Sequence, residues 1–280
     1  MKVLVTGSSG RIGRYVVREL VEAGHTVTGI DIARVRGGPG RSLQVDLTDA
    51  GEVYQALAAS GAEAVAHMGA WANAGVAPDT RTYGDNVRGT FNVFQACADL
   101  GIVRVVSASS AQVYGLAGAP PVYVPMDEDH PVRPINCYAL SKIAGEQAAD
   151  YFVVNRGMTI LCFRLMGIRT PEELNAQIDA LVERPSEGGG LLWTRTDTRD
   201  VALACRLAVE AETVAAGVYN ITGPRVALDE PSLDLVKRYC RGTEIRGDLP
   251  GFTSPLSCAR AEAAFGYRPE FPWSVSKRFV

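Results

Sequence analysis

The stretch "KVLVTGSSGRIGRYVVREL" constrains the fold more than any other part of the chain. A short apolar run stops at a loop punctuated by glycines, and Ile12, Val16, Val17 and Leu20 then recur at helical spacing. A strand that feeds directly into a helix is the opening half of a unit whose next strand runs parallel to the first. Gly7, Gly10 and Gly13 have the spacing of a phosphate-binding turn. Gly7 permits the tight turn, Gly10 lets the backbone approach a pyrophosphate, and Gly13 allows close helix–strand packing. The plainer reading is a glycine-rich turn that binds nothing.

The same alternation continues. "HTVTGID" and "SLQVDLTD" are apolar runs, the second followed by an alanine-rich helix through Ala59. "AEAVAHMGA" and "VRVVSASS" are two more candidate strands around a helix from about Thr80 to Leu100, and a "YALSK" helix precedes "MTILCFRL". Strands alternating with helices of this length predict an α/β fold, a doubly wound parallel sheet covered on both faces, with right-handed crossovers. After Arg164 the pattern loosens. "GIRTPEELNAQIDALVERPSEGGG" gives one helix and a glycine-rich loop with no alternating strand. "RDVALACRLAVEA" returns to helix, "AGVYNIT" to strand, and the tail from Gly223 is richer in proline. Residues 1–165, with 191–222 returning, are expected to form the cofactor-binding domain. Residues 166–190 and 223–280 are expected to form a small interleaved C-terminal substrate lobe.

Composition excludes several classes. With 280 residues, 47% hydrophobic and 21% charged, the chain is of globular type. A net charge of −3 without a Lys/Arg run argues against a nucleic-acid surface. No apolar run approaches the roughly 20 residues that a bilayer span requires, and the first residues lack a signal-peptide pattern. The six cysteines form no CxxC pair and read as free thiols, which sets a cytoplasmic expectation. His25, His67 and His130 are far apart and lack metal-ligand spacing, so no metal is expected.

Asp31, 18 residues beyond Gly13 at the end of the second strand, stands where an acid can accept bonds from ribose hydroxyls. A carboxylate there repels a 2′-phosphate and favours NAD over NADP, while Arg34 and Arg36 nearby could hold that phosphate instead. Asp46 ends the third strand and could bind an adenine amino group; capping the next helix is its plainer role, one equally open to Asp49. Tyr138 and Lys142 in "CYALSK" are four apart and share a helix face. A neighbouring ammonium favours a phenolate. Alone, that spacing fits two ordinary helix residues as well as a proton-transfer device.

"TGSSGRIG", "DLTD", "HMGA", "NVRGTFNV", "SASSAQVYG", "YALSK", "RDVA" and "YNITG" occur in one order across residues 1–223, and "RAEAAFGYRP" follows. Together they resemble the extended short-chain dehydrogenases/reductases of the NAD-dependent epimerase/dehydratase kind, with a Rossmann fold. The compact form also resembles uronate-type sugar dehydrogenases. The resemblance implies NAD as cofactor. It makes Tyr138 the catalytic base, Lys142 its partner, and Ser110 the hydroxyl that bonds the reacting oxygen. It places Gly7, Ser9, Gly10, Arg11, Ile12, Gly13, Asp31, Arg34, Asp46, Leu47, Met68, Gly69, Ala70, Asn86 and Ser109 at the cofactor, together with Tyr138 and Lys142. Asn86, His67 and Asp200 carry mainly structural roles in it, and Arg199 could face the substrate.

On this resemblance Tyr138, a phenol with a reference pKa of about 10, becomes a usable base beside Lys142 and the positive nicotinamide ring. The acid pair that drives elimination in the family's dehydratases is replaced by Ala111 and Gln112, which disfavours dehydration. The expected reaction is hydride transfer from a sugar-type hydroxyl, as net oxidation or as transient oxidation in an epimerisation. A UDP-sugar 4-epimerase is the specific alternative, and a non-catalytic NAD(H) sensor or scaffold the alternative of another class. The interval from Arg164 to Asp200 is short, and Trp193 replaces an arginine common in epimerases, which points to a small substrate. Arg169, Arg195 and Arg246 remain to grip a phosphate. A homodimer is expected through the helices carrying Phe91, Phe94 and Ala98, and Ile143, Ala144, Tyr151 and Phe152.

Overall fold

The computed structural model describes residues 1–33 and 38–279. Arg34 and Arg36 lie outside the described residues. In chain order the first elements are β1 (Lys2–Thr6), α1 (Gly13–Glu22), β2 (Thr26–Asp31), β3 (Arg41–Gln44), α2 (Ala50–Ser60) and β4 (Ala64–His67). Next come α3 (Asp79–Asp99), β5 (Arg104–Ser110), β6 (Tyr123–Val124), α4 (Cys137–Arg156), β7 (Thr159–Leu165), β8 (Ile168–Arg169) and α5 (Pro171–Glu183). The chain continues through β9 (Thr196–Asp197), α6 (Thr198–Glu210), β10 (Gly217–Ile221), α7 (Ser232–Tyr239), β11 (Glu244–Ile245) and α8 (Ala259–Phe265).

Seven strands form one sheet in the order β10-β7-β5-β4-β1-β2-β3. β1 lies between two parallel neighbours, with Val3 opposite Val27 of β2 and Ala64 of β4. β2–β3 and β4–β5 are parallel as well. Strand order therefore runs one way from β1 to β3 and the other way from β4 outward. Ligands of open α/β sheets bind outside the carboxyl ends of the strands at such a reversal.

Local chemistry explains the helices. Val16, Val17 and Leu20 bury one face of α1. The Asp49 side chain caps α2 by accepting the Glu52 N–H, and Gly61 ends the helix at φ 58°. Asn136 caps α4 by accepting the Ala139 N–H, and Gly157 ends it at φ 65°. Satisfying an orphan N–H in this way contributes about 1 kcal/mol per cap.

The chain divides into two compact units. Unit one comprises Met1–Ser109, Asn136–Phe163 and Ala202–Val218. Its core joins Leu4, Ile30, Val65, Phe94, Val105, Phe152 and Ile160. Phe94 and Phe152 are thus committed to the core and stack edge to face, whereas Phe91 and Tyr151 are exposed. Unit two comprises Ser110–Ile135, Arg164–Val201 and Tyr219–Val280. Within it Arg164 donates to the Tyr114 hydroxyl and to the Glu128 carbonyl, and Tyr114 donates to Asn220. Trp193 is fully buried at φ 54°, its indole N–H held by the Pro185 carbonyl.

Two local expectations change. The segment after Arg164 does contain a strand: β8 pairs in parallel with β9, Ile168 opposite Thr196. Each is two residues long, too short for an alternating pattern to register. The third strand stops at Gln44, and Asp46 lies in the turn leading to α2.

Candidate active site

Unit one builds a cradle from the turn after β1. Gly7 adopts φ +64°, and a β-carbon there would come within 2.6 Å of the Gly69 backbone. A β-carbon on Gly13 would sit 2.1 Å from the Gly7 carbonyl oxygen, so only glycine lets α1 start this close to β1. At Gly10 an added β-carbon would meet only that oxygen within 4 Å, leaving the outer side of the loop open. Ile12 stands at the N-cap of α1 and offers no side-chain bond, and the first turn carries no acid. The Arg14 N–H is taken by the Gly10 carbonyl and the Tyr15 and Val16 N–H groups by the Ile12 carbonyl, so what this end of α1 offers a phosphate is chiefly its partial positive charge. Arg11 and Gly10 are exposed on this loop, and Ser9 is half-buried.

Asp31 closes one side of the cradle. One carboxylate oxygen accepts the Ser9 N–H at 3.0 Å and the other the Ala33 N–H at 3.0 Å. Each oxygen keeps a lone pair for a ribose hydroxyl. Asp46 Oδ1 accepts both the N–H and the hydroxyl of Thr48, while Asp49 takes the helix cap. Leu47 packs against Gly69, where a β-carbon would meet its Cδ1 at 2.7 Å. The Met68 N–H bonds the Thr6 carbonyl and the Gly69 N–H the Thr6 hydroxyl, and Ala70 beyond them is exposed. These groups, all in unit one, can hold a dinucleotide.

His67 and Asn86 are positioning residues. His67 bridges the hydroxyls of Thr6 and Thr90 through its two ring nitrogens. Burial, reinforced by the charge of Lys142, holds its pKa down to about 3, so the ring is neutral. Asn86 accepts the Trp71 N–H, donates to the Trp71 carbonyl, and donates to the Ser141 hydroxyl on α4. One side chain thereby ties the segment after β4 to the helix that carries Tyr138.

Tyr138 occupies the first turn of α4 and Lys142 the next, both buried. The Lys142 ammonium lies 5.6 Å from the Tyr138 ring centroid and donates to the Ala108 carbonyl of β5 at 2.7 Å. Burial lowers its pKa to about 8, against the opposing influence of Cys162 and Glu146. Glu146, one turn further on, accepts a 2.6 Å bond from the Ser109 hydroxyl. Sequence reasoning missed Glu146. Its signal was available, since Tyr138, Lys142 and Glu146 repeat every four residues along one helix face. Ser109 is thus engaged with α4.

Ser110 belongs to unit two, where its hydroxyl accepts the Gln112 N–H and caps the short 3-10 segment Ala111–Tyr114. Arg199 in the same unit bonds both carboxylate oxygens of buried Asp197 and lies 3.7 Å over the Phe271 ring. Asp200 accepts the Glu270 N–H and is fully buried, with burial pushing its pKa up to about 7.

A glycine cradle at a helix N-terminus, an acid at the end of β2 and a buried tyrosine–lysine pair define a dinucleotide-binding α/β protein with acid–base capacity. The chain belongs to the NAD dependent epimerase/dehydratase family, whose model matches residues 3–222. It is 32% identical over 187 residues to L-arabinose 1-dehydrogenase (NAD(P)(+)) of Haloferax volcanii, covering 64% of this chain and 71% of that protein. It is 33% identical over 154 residues to UDP-glucose 4-epimerase of Lactobacillus helveticus, covering 52% of this chain and 46% of the epimerase. A solved short-chain dehydrogenase/reductase superfamily protein from Agrobacterium tumefaciens with bound NAD superposes with a TM-score of 0.74 at 27% identity, covering 98% of this chain and 94% of the other. No described helix is long and apolar enough to cross a membrane.

Proposed function

We propose that the protein is an NAD-dependent oxidoreductase that oxidises a hydroxyl of a small sugar or sugar acid. The observation that carries this reading is the buried Lys142 ammonium, fixed to the Ala108 carbonyl one helical turn from Tyr138. Burying a cation costs free energy, and here it stabilises the phenolate form of a potential base. Tyr138 takes the proton from the substrate hydroxyl. Ser110 holds the substrate oxygen, and Lys142 also binds the nicotinamide ribose. When bound, NAD supplies the hydride acceptor, so the carbinol carbon becomes a carbonyl. Gly7, Gly10, Gly13 and the start of α1 hold the pyrophosphate, and Asp31 holds the adenosine ribose and selects against a 2′-phosphate. The match to a sugar dehydrogenase over most of that relative's length supports net oxidation.

The second reading, a UDP-sugar 4-epimerase, is favoured by the match to UDP-glucose 4-epimerases. It draws no support from Trp193, which stands where epimerases often carry an arginine and is a buried core residue here. The protein is further proposed to act as a homodimer in the cytoplasm, pairing through α3 and α4, where Phe91, Tyr151 and Val154 stand exposed. The deciding experiment supplies NAD with a panel of aldoses, sugar acids and nucleotide sugars and follows NADH absorbance and epimeric products together. NADH accumulation with a free sugar or sugar acid is expected. Interconversion of UDP-glucose and UDP-galactose without net NADH would establish the epimerase instead.

A further inference from the structure

Unit one holds a buried acid that the proton transfer itself does not use. Glu146 follows Lys142 by four residues on α4, so the two side chains share a helix face. Both are buried, and consecutive residues of β5 fix them. Lys142 donates to the Ala108 carbonyl at 2.7 Å, and Glu146 accepts from the Ser109 hydroxyl at 2.6 Å. Neighbours at this spacing stand about 5–6 Å apart at their β-carbons, and away from water charges so close interact strongly.

A buried ammonium is costly without an opposite charge. The elements packed around Lys142 offer few candidates. β4 brings His67, which is neutral. β5 brings the Ala108 carbonyl and the Ser109 hydroxyl, neither of them an acid. α3 brings Thr90, bonded to His67, and Asn86, bonded to Ser141, and neither titrates. α4 itself brings the Tyr138 phenol and Glu146. β7 brings Cys162, which is buried. Burial lowers the Lys142 pKa, and Cys162 and Glu146 oppose that descent. Cys162 does so only as a thiolate, the form that burial disfavours. Among the described residues that act on Lys142, Glu146 is thus the one carboxylic acid. Its negative charge also reaches Asp150 one turn further on, where burial first and then Glu146 hold the carboxyl above its ordinary value.

We propose that Glu146 is the counter-ion of Lys142, a positioning residue that keeps the ammonium charged beside Tyr138 and so keeps the phenol usable as a base. The action on the base rests on the oxidoreductase reading above; the ion pairing does not. The Ser109 hydroxyl serves the same end, because a donor to a carboxylate favours its charged form. Without Glu146, burial acts on Lys142 with less opposition and its proton leaves nearer neutrality. Tyr138 then loses the neighbouring charge that favours its phenolate.

The test reads Lys142 directly. The chain has four lysines, Lys2, Lys142, Lys237 and Lys277, so carbon-13 labelling of lysine Cε gives a spectrum in which each can be followed. Lys142→Met assigns the signal of interest. That signal should titrate with a midpoint of about 8 in the wild type. Glu146→Gln keeps an oxygen to accept from Ser109 and should lower the midpoint by roughly one pH unit or more, the scale of a nearby opposite charge. Glu146→Asp keeps the charge and should lower it less, and is the variant to read if the glutamine protein fails to fold. Cys162→Ser should leave the midpoint in place. A merely structural Glu146 would leave it unmoved in both Glu146 variants, which overturns the proposal. A midpoint that Cys162→Ser lowers as far as Glu146→Gln overturns it as well. Turnover tests the action on the base, using NAD and the aldose or sugar acid of the panel above that yields most NADH. In Glu146→Gln the acid limb of kcat/KM against pH should move to higher pH, and a limb that stays in place while the midpoint falls overturns that action. If the midpoint falls but no sugar is oxidised, the oxidoreductase reading fails and the counter-ion stands. If a sugar is oxidised and the midpoint does not move, the counter-ion fails and the oxidoreductase reading stands.

Discussion

Replacing Lys142 by methionine should make the stability of the fold less dependent on alkaline pH. Lys142 is 7% exposed, and burial brings its pKa from 10.5 to about 8. Between those two values the unfolded chain carries a proton that the folded chain has released. Stability rises with pH wherever the unfolded state binds more protons. The penalty for burying the charged ammonium is thus complete below the folded pKa and is relieved as pH climbs toward the unfolded one. Each unit is worth about 1.4 kcal/mol, so moving from about pH 7 to about pH 9.5 should stabilise the wild type by roughly 2 kcal/mol. Lys142→Met lacks that gain, while every other group titrates in both proteins and cancels to first order. Near pH 7 the variant escapes the burial penalty of about 3 kcal/mol but strands the Ala108 carbonyl, at a cost of about 1–3 kcal/mol. The two proteins should therefore be of similar stability there. The assay is urea denaturation of both proteins without cofactor at the two pH values. A stability difference that stays constant, or that moves against the wild type as pH rises, refutes the buried-ammonium account. The same variant should lose turnover and NAD affinity together, and its intact fold at neutral pH excludes misfolding as the reason.

Tyr138→Phe should leave folding and NAD binding nearly intact and lower turnover on the order of 10²–10⁴-fold, the contribution of a positioned base; near-normal turnover would remove the tyrosine from the mechanism. Asp31→Ser should narrow a preference for NAD over NADP, because it removes the carboxylate that repels a 2′-phosphate. Equal use of both cofactors by the unmodified protein would assign the pocket to Arg34 or Arg36 instead. Tyr151→Glu and Val154→Glu together should convert a dimer to a monomer in light scattering, since these side chains are 53% and 81% exposed on α4; a monomeric wild type at micromolar concentration defeats the α3–α4 pairing.

The parts of this protein legible in the sequence are those whose physics is local. Gly7 and Gly13 could be assigned because a turn with positive φ and a close helix approach admit no other residue. Asp31 and the Tyr138–Lys142 face followed from counting along a strand and a helix. What escaped reading depends on where side chains are aimed and on partners distant in sequence. Arg199 and Arg246 are spent on Asp197 and Glu244 only two residues away, a pairing that no helical or strand period announces, and Asp197 also accepts the indole N–H of Trp273 from far along the chain. Phe94 and Phe152 read as surface candidates beside Phe91 and Tyr151 because two faces of a long helix look equally apolar until the sheet selects one. Two-residue strands such as β8 and β9 leave no period to detect.

The end of β5 shows why the tyrosine–lysine pair is more than helical spacing. The Ala108 carbonyl accepts from the Lys142 ammonium, and the Ser109 hydroxyl donates to the Glu146 carboxylate. α4 is thereby fixed to the strand at two points one turn apart, and a third bond, from Asn86 to Ser141, fixes it to the segment after β4. A helix held only by apolar contacts can slide or rotate by a fraction of a turn at small cost, but two of these polar bonds are buried and the third partly so, and each is expensive to leave unmade. The placement of Tyr138 is therefore set by the register of β5, whose very next residue is Ser110. A slip of one residue in that strand would turn the Ser109 hydroxyl to the opposite face, leaving Glu146 buried without its donor. Precision in the proposed base thus comes from a neutral serine and a buried acid that take no part in the proton transfer themselves.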